Sequence, residues 1–444
     1  MKKCLCYLLA AVAALSLCAC GESAPKEDPQ VLQAGFAREV CLPDDQIVYI
    51  AGGTAEEDPS TDGVLDEITV TCIALKQGGE TYLIYTCDVV DIDGNFCAIT
   101  DTAISEATGI PVEKIILNGT HTHSAPTLKD NLPGKDAYLN KFNESCARVG
   151  KAAIEDLSPA TLSYGSVMTE HMVRVRHYWM NDGTSHGNGH GSAASGYKEH
   201  MYPADEECQV LRLTRAAEDK KDIVLFNLTA HATIVSGTHT SMLSADFPGY
   251  ARQYIEQEAD VLSAYFIAAS GDQIPGSRIP GEVPNGKNAP AYGEQLGGYV
   301  LQVLESMTDA QGSDIHLYTE EFQAKKKEFG AYTEGEVVSQ AQCLSFPTNT
   351  MTVGDVGIVF FPGELFGSQG RQLKDDSPMP MTFVITNSEK DQMYFPSPIA
   401  FEHEFYESKT TKYAQGTGEM VAARYVEILT AMKEGKTPEP QQVQ

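Results

Sequence analysis

The chain of 444 residues is long enough for one large domain or two smaller ones, and its 42% hydrophobic content allows a sizeable core, which excludes global disorder. Acidic side chains outnumber basic ones 61 to 32, a formal net charge of -29. A surface of that sign repels phosphate backbones, so nucleic-acid binding is not expected, and it disfavours adhesion to anionic lipid headgroups through basic patches.

In chain order, Lys2 and Lys3 precede "CLCYLLAAVAALSL", an apolar run too short to span a bilayer comfortably. It ends in "LCAC", Leu17 to Cys20, and resembles a bacterial lipobox, in which the last cysteine is lipidated. The expectation is a signal peptide over 1–19 and a lipidated flexible tether over 20–32, with an ordinary signal peptide as the plainer alternative. The protein is then an exported bacterial lipoprotein, held at the membrane surface outside the cytoplasm through lipid on Cys20.

From residue 33 onward, apolar runs alternate with amphipathic stretches. "KIILNGT", "DIVLFNLTAH", "SAYFIAASGD" and "DVGIVFFPGE" read as buried strands ending in polar turns. "NKFNESCARVGKAAIEDL", "FPGYARQYIEQEA", "AYGEQLGGYVLQVLESM" and "GEMVAARYVEILTAMKEG" have helical spacing. The interleaving predicts a single α/β domain over 33–434: a mixed, largely parallel β-sheet core flanked by helices. The segment "DGTSHGNGHGSAASGYKEH", carrying His186, His190 and His200, reads as a solvated loop, and 435–444 as a disordered tail. Cys41, Cys72, Cys87, Cys97, Cys146, Cys208 and Cys343 form no Cys-x-x-Cys pair, so a thiolate zinc site is not indicated.

The four strand candidates share a feature. The first runs into His121 and His123, the second into His231, the third into Asp272 and the fourth into Glu364. In open α/β sheets, ligands bind at the carboxyl ends of strands. On extended backbone, positions i and i+2 face the same way, so His121 and His123 would enter one crevice. Histidines with a carboxylate suit zinc with an open position for water. Taken singly, His231 reads as a hydrogen-bonded core residue and "PGE" as an ordinary turn. Asp246, in "LSADFPGY", and Asp272 fit either a turn or N-cap role or the orientation of a ligand histidine.

As an ordered set, "QAGFARE", "GTHTHSAP", "RVRHYWMNDG", "YPADEECQVLRL", "NLTAHATIV", "LSADFPGYA", "AASGDQIP", "VGDVGIVFFPGELF" and "YFPSPIAFEHEFYE" resemble the catalytic domain of the neutral/alkaline non-lysosomal ceramidase family. The resemblance implies a zinc-dependent amidohydrolase acting on a ceramide-like N-acyl lipid, without the family's immunoglobulin-like C-terminal domain. It implies His121, His231, Glu364 and Tyr394 as zinc ligands. It further implies His123, Tyr406 and an arginine as active-site groups; Arg176 matches best and Arg174 stays open. Tyr394 and the pair Tyr406-Glu407 keep the family's spacing.

Two departures bear on substrate. Ile274 in "GDQIP" stands where the family's ceramidases carry a serine, which excludes a serine nucleophile at that place. "HTHSAPT" replaces "HTHSGPG". A zinc-activated water remains as nucleophile, with His123 moving a proton to the leaving amine. A zinc hydrolase of another small amide or ester, or an inactive lipid-anchored binding protein, are the alternatives.

Overall fold

The computed structural model describes residues 30–44, 48–50, 62–128, 133–187, 196–236, 241–276, 288–333, 336 and 338–441. The expected signal peptide, Cys20, the expected tether through residue 29 and His190 lie outside the described residues.

In chain order the principal elements are β1 (Gln33–Val40), β2 (Thr69–Gln77), β3 (Glu80–Cys87), α1 (Gly94–Thr108), β4 (Ile115–Ile116), α2 (Lys135–Glu155), β5 (Ser158–Met168), β6 (Glu207–Arg215), β7 (Ile223–Leu228), α3 (Asp246–Ala259), β8 (Leu262–Ile267) and α4 (Ala289–Leu304). There follow β9 (Ile315–Lys325), β10 (Cys343–Val353), β11 (Val356–Phe360), α5 (Gly367–Asp376), β12 (Met381–Ile385) and α6 (Thr417–Lys433).

The main sheet runs β8-β7-β6-β5-β1-β2-β3-β4, and a second sheet runs β9-β10-β11-β12. Strand alternation sorts the apolar side chains into layers. Ile73, Leu75 and Ile84 face Met351, Ile358 and Phe383 between the two sheets. On the other side of the main sheet, Val70, Cys72, Leu83 and Tyr85 pack on Phe142, Cys146 and Val149 of α2. Val224, Phe226 and Tyr265 pack on Phe247, Ala251 and Leu296 of α3 and α4. The outer face of the second sheet, with Phe346, Val359 and Val384, is covered by Leu373 of α5 and Val421, Tyr425 and Leu429 of α6. The order is helices, sheet, sheet, helices. Each large aliphatic side chain buried this way contributes roughly 1.5–3 kcal/mol.

The mixed α/β sheet flanked by helices matches the expected class. Its direction does not: antiparallel pairings predominate, joining β7-β6-β5-β1-β2-β3 and β9-β10-β11. Within these two sheets, among the described residues, parallel pairing is confined to β7 with β8, β3 with β4, and β11 with β12. Unbroken apolar runs signal burial on both faces, and here a second sheet supplies the cover that helices give in all-parallel folds.

The four helices expected from spacing form. Helices α1 and α5 went unread, α5 because "GSQGRQLKDD" offers only Leu373 as a buried large apolar side chain. Part of the 182–200 loop is strand: Ser185–Gly187 and Tyr197–His200 both pair with His177–Met180. There His200 Nδ1 lies 2.8 Å from the Val175 carbonyl oxygen, so it is not a solvated side chain. Beyond α6, where the sequence suggested a disordered tail, the Gln441 amide donates to Glu320 and its side chain bonds the Gln323 backbone.

Candidate metal centre

The parallel pairs end on one side of the molecule, and the segments that follow are stitched together. Thr122 and Ala232 form a parallel bridge, linking the chain after β4 to the chain after β7. Gly119 donates to the Asn387 carbonyl at 3.1 Å, His231 to that of Gln273 at 3.1 Å, and Thr386 to that of Ile267 at 2.9 Å. Backbone bonds therefore position this site before any side chain does.

His121 is 4% exposed and sits at φ 63°, a left-handed conformation costing a non-glycine residue about 1–3 kcal/mol. Its amide donates to the Val89 carbonyl at 3.0 Å and its Nδ1 to that of Val90 at 2.6 Å. The adjoining threonines suspend the loop: Thr122 Oγ1 donates to the Ser244 carbonyl at 2.8 Å, and Thr120 Oγ1 to Asp88 Oδ1 at 3.2 Å. Asp88 is itself clamped by Arg252 at 3.0 and 2.7 Å. His121 and His123 do converge, with ring centroids 4.8 Å apart, but through this turn and not by strand alternation.

His231 is equally fixed: its Nδ1 donates to the Gln273 carbonyl at 2.9 Å. With both Nδ1 atoms committed to carbonyls, each ring turns Nε2 towards Glu364, and in the neutral tautomer that nitrogen carries the lone pair. Glu364 Oε2 lies 3.4 Å from the first and 3.0 Å from the second. That oxygen is buried and has no conventional hydrogen-bond partner. Gly271 lets Glu364 approach, since a Cβ there would meet the Glu364 carbonyl oxygen at 2.7 Å. The Gly271 amide also donates to the Leu365 carbonyl at 2.8 Å.

Burial pushes the His121 imidazole down, but the facing Glu364 carboxylate outweighs it and raises it above the ordinary value, so a positive charge sits against this carboxylate even without a metal. Burial pushes the Glu364 carboxyl up, but the two histidines outweigh it and hold it well below the usual carboxylate range. Burial, then the neighbouring His121, push His231 down to about 4. An ionised carboxylate facing a neutral imidazole, all buried, is a donor set of N/O type suited to zinc. His123 Nε2 lies 3.3 Å from His121 Nε2, and one nitrogen from each of His121, His123 and His231 falls within 4.8 Å of the others. The imidazole group and the His121–His231–Glu364 group share two members.

Tyr394 pairs with Glu364 in a short parallel ladder, Glu364–Leu365 against Tyr394–Phe395, and burial raises its phenol well above the ordinary value. Its ring lies 5.7 Å from that of Tyr406, which is 51% exposed. Arg176, rather than Arg174, stands in the group. Its Nη1 is 3.5 Å from His231 Nε2 and its guanidinium carbon lies 5.4 Å from the Tyr394 ring centroid. Arg174 instead donates to the Pro275 carbonyl at 3.3 Å.

Among the described contacts, neither Asp246 nor Asp272 bonds His121 or His231, whose Nδ1 atoms go to carbonyls. Asp246 accepts the Val235 and Phe247 amides at 2.7 and 2.6 Å, which anchors the loop after His231 to the start of α3. Asp272 Oδ1 accepts the Gly367 amide at 2.8 Å, and its carbonyl accepts the Arg176 amide at 2.9 Å. Ile274 is half-buried and is the backbone partner of Arg174. Two residues of the group were not singled out for a role in the sequence. Glu407 accepts Arg176 Nε at 2.6 Å, and His177 Nε2 lies 3.2 Å from the other Glu407 oxygen. The available signal for His177 was a histidine inside the apolar run "HYWM".

No family model and no curated protein sequence matches the chain. Solved structures do. The neutral ceramidase from Pseudomonas aeruginosa superposes with a TM-score of 0.74 at 15% identity, covering 94% of this chain and 76% of that one. A ceramidase complexed with C2 gives a TM-score of 0.73 at 15% identity, covering 93% and 77%. By this likeness in architecture, the chain adopts a neutral ceramidase-like fold.

Proposed function

We propose that the protein is a zinc-dependent amidohydrolase that cleaves the amide bond of a ceramide-like N-acyl lipid. The observation that carries this is the pair of Nε2 atoms, from His121 and His231, meeting the buried Glu364 Oε2 that lacks a conventional partner. Two solved structures that share the fold are ceramidases.

His121, His231 and Glu364 would hold the metal, with Tyr394 as a further ligand. Zinc bound there supplies Lewis acidity and lowers the pKa of water towards neutrality. The remaining steps fall to the chain's own side chains. Arg176 presents a fixed cation beside His231, where charge develops on the acyl oxygen during attack. His123, half-buried and with its amide fixed to the Ala232 carbonyl at 3.1 Å, delivers a proton to the departing amine. Tyr406, half-exposed beside Tyr394, meets the substrate at the rim. The proposed setting is a membrane surface reached through lipid on Cys20.

The test is metal content and turnover measured together on the purified mature protein. Wild type should hold stoichiometric zinc and hydrolyse an N-acyl sphingoid base; Glu364→Gln should lose both. Zinc with turnover only of a short amide or an ester would reassign the substrate. Absence of metal after zinc is supplied would sink the reading.

A further inference from the structure

The bend at Arg176 puts two adjacent side chains on one carboxylate. Strands Val173–Val175 and His177–Met180 are interrupted at Arg176. In a continuous strand, neighbours 176 and 177 would face opposite ways. Here Arg176 Nε donates to Glu407 Oε1 at 2.6 Å while His177 Nε2 lies 3.2 Å from Glu407 Oε2. We infer that His177 is a positioning residue, which fixes Glu407 and through it the orientation of the Arg176 guanidinium in the site.

The guanidinium is planar, so two bonds to different nitrogens fix the direction of the third. Nε is held by Glu407, and Nη2 donates to the Gly271 carbonyl at 2.8 Å. Nη1 is left aimed at His231 Nε2, 3.5 Å away. A carboxylate held by one oxygen can still turn about its last bond. Glu407 cannot, because its second oxygen accepts from His177. A carboxylate only accepts, so Nε2 carries the hydrogen.

His177 is locked in its turn. It is fully buried, its Nδ1 lies 2.6 Å from the Tyr202 hydroxyl oxygen, and its ring stacks on Phe405 at 4.1 Å with the planes 17° apart. The chain Tyr202–His177–Glu407–Arg176 thus runs from outside the metal group to its edge. His177 touches no ligand histidine in these contacts; its effect passes through Glu407 and Arg176.

The inference rests on the proposed role of Arg176 in turnover, and the test separates the two. His177→Phe keeps a flat ring against Phe405 and removes the donor. Its kcat should fall about tenfold with KM changed less than about threefold, because an interaction made in the transition state is lost. His177→Gln, which can place an amide N–H near the same carboxylate oxygen, should recover most of that loss. In an Arg176→Ala background, His177→Phe should add little, since the two act as one unit. A crystal structure of His177→Phe should show Arg176 Nη1 displaced from its 3.5 Å approach to His231.

Arg176 unmoved in that structure, or fully additive losses, overturns the inference. An inactive wild type with Arg176 displaced in the variant would instead sink the amidohydrolase reading and leave the positioning intact. Should His177→Phe fail to fold, Tyr202→Phe removes only a hydroxyl and should lower kcat in the same sense; an unchanged kcat there overturns the inference.

Discussion

The middle of the main sheet and its margins are built from similar residues and do different work. Strands β1, β2, β5 and β6 are antiparallel to their neighbours, and none of them runs directly into His121, His231 or Glu364. The parallel pairs β3 with β4, β7 with β8 and β11 with β12 lead to His121, His231, Asp272 and Glu364. The difference follows from strand direction. Antiparallel neighbours send their connections to alternate ends of the sheet, whereas parallel neighbours send their carboxyl ends to the same end. The loops that carry these residues therefore collect where the parallel pairs end.

The strongest way to break this comparison is at Glu364, the residue that follows the second sheet's parallel pair. Glu364→Gln replaces an ionised oxygen facing His121 and His231 with an amide. Turnover should fall at least about a thousandfold, and metal content should fall with it. Elemental analysis beside a hydrolysis assay checks both. Full zinc retention would move Glu364 out of the ligand set and favour the group of three imidazoles.

Asp88, at the end of β3, tests whether margin and site are mechanically one. It is 1% exposed and receives both Nη atoms of Arg252, the Thr69 amide and hydroxyl, and the Thr120 hydroxyl. Asp88→Ala leaves Arg252 buried without its carboxylate and should cost about 3–5 kcal/mol by denaturant unfolding. Because Thr120 precedes His121, zinc affinity should weaken by about 10–100-fold as well. A stability loss with unchanged zinc affinity would separate the parallel margin from the site.

Glu407, held by Arg176 and His177, offers a pH signature. Burial pushes its carboxyl up, but the Arg176 charge and the His177 hydrogen bond outweigh that and hold it at about 2. The folded value lies below the unfolded one near 4.5, so the group stabilises the fold above pH 4.5. That contribution, about 3 kcal/mol, is lost as pH falls from 4.5 towards 2. In metal-free protein, the stability gap between wild type and Glu407→Gln should narrow over that interval. A gap of constant size would place the depressed titration elsewhere.

The sequence revealed residue types at strand ends more readily than it revealed direction. His231 and Glu364 were legible because each follows an apolar run of strand length, and His121 because the short apolar run at Ile115–Ile116 leads into a pair of histidines. Tyr394 was legible only through family spacing. Strand direction was hidden, since burial on both faces gives the same unbroken apolar run in either sense. The carbonyls of Val90 and Gln273 that orient the two imidazoles were invisible for a simpler reason: every residue has a carbonyl. The same holds for the left-handed turn at His121, which replaced the expected strand alternation. His177 escaped because its role depends on a bend one residue earlier and on a carboxylate 230 positions away.

The smallest expected effect is at Ser270, which lies just beyond β8 on the margin that delivers Asp272. Its hydroxyl is fully buried and has no conventional partner. It is the one serine of "SGDQIP", whose Ile274 cannot serve as a nucleophile. Nothing in the described contacts activates Ser270: no histidine or carboxylate receives its proton, so it lacks the adjacent base that a serine nucleophile needs. Ser270→Ala removes an unpaired buried polar group, and stability should stay unchanged or rise by up to about 1–2 kcal/mol. Turnover should change less than about threefold, measured against the Glu364→Gln loss in the same preparation. A large loss from this variant, with metal content intact, would restore a serine route and make the metal group structural. A small one keeps Ser270 out of the proposed chemistry.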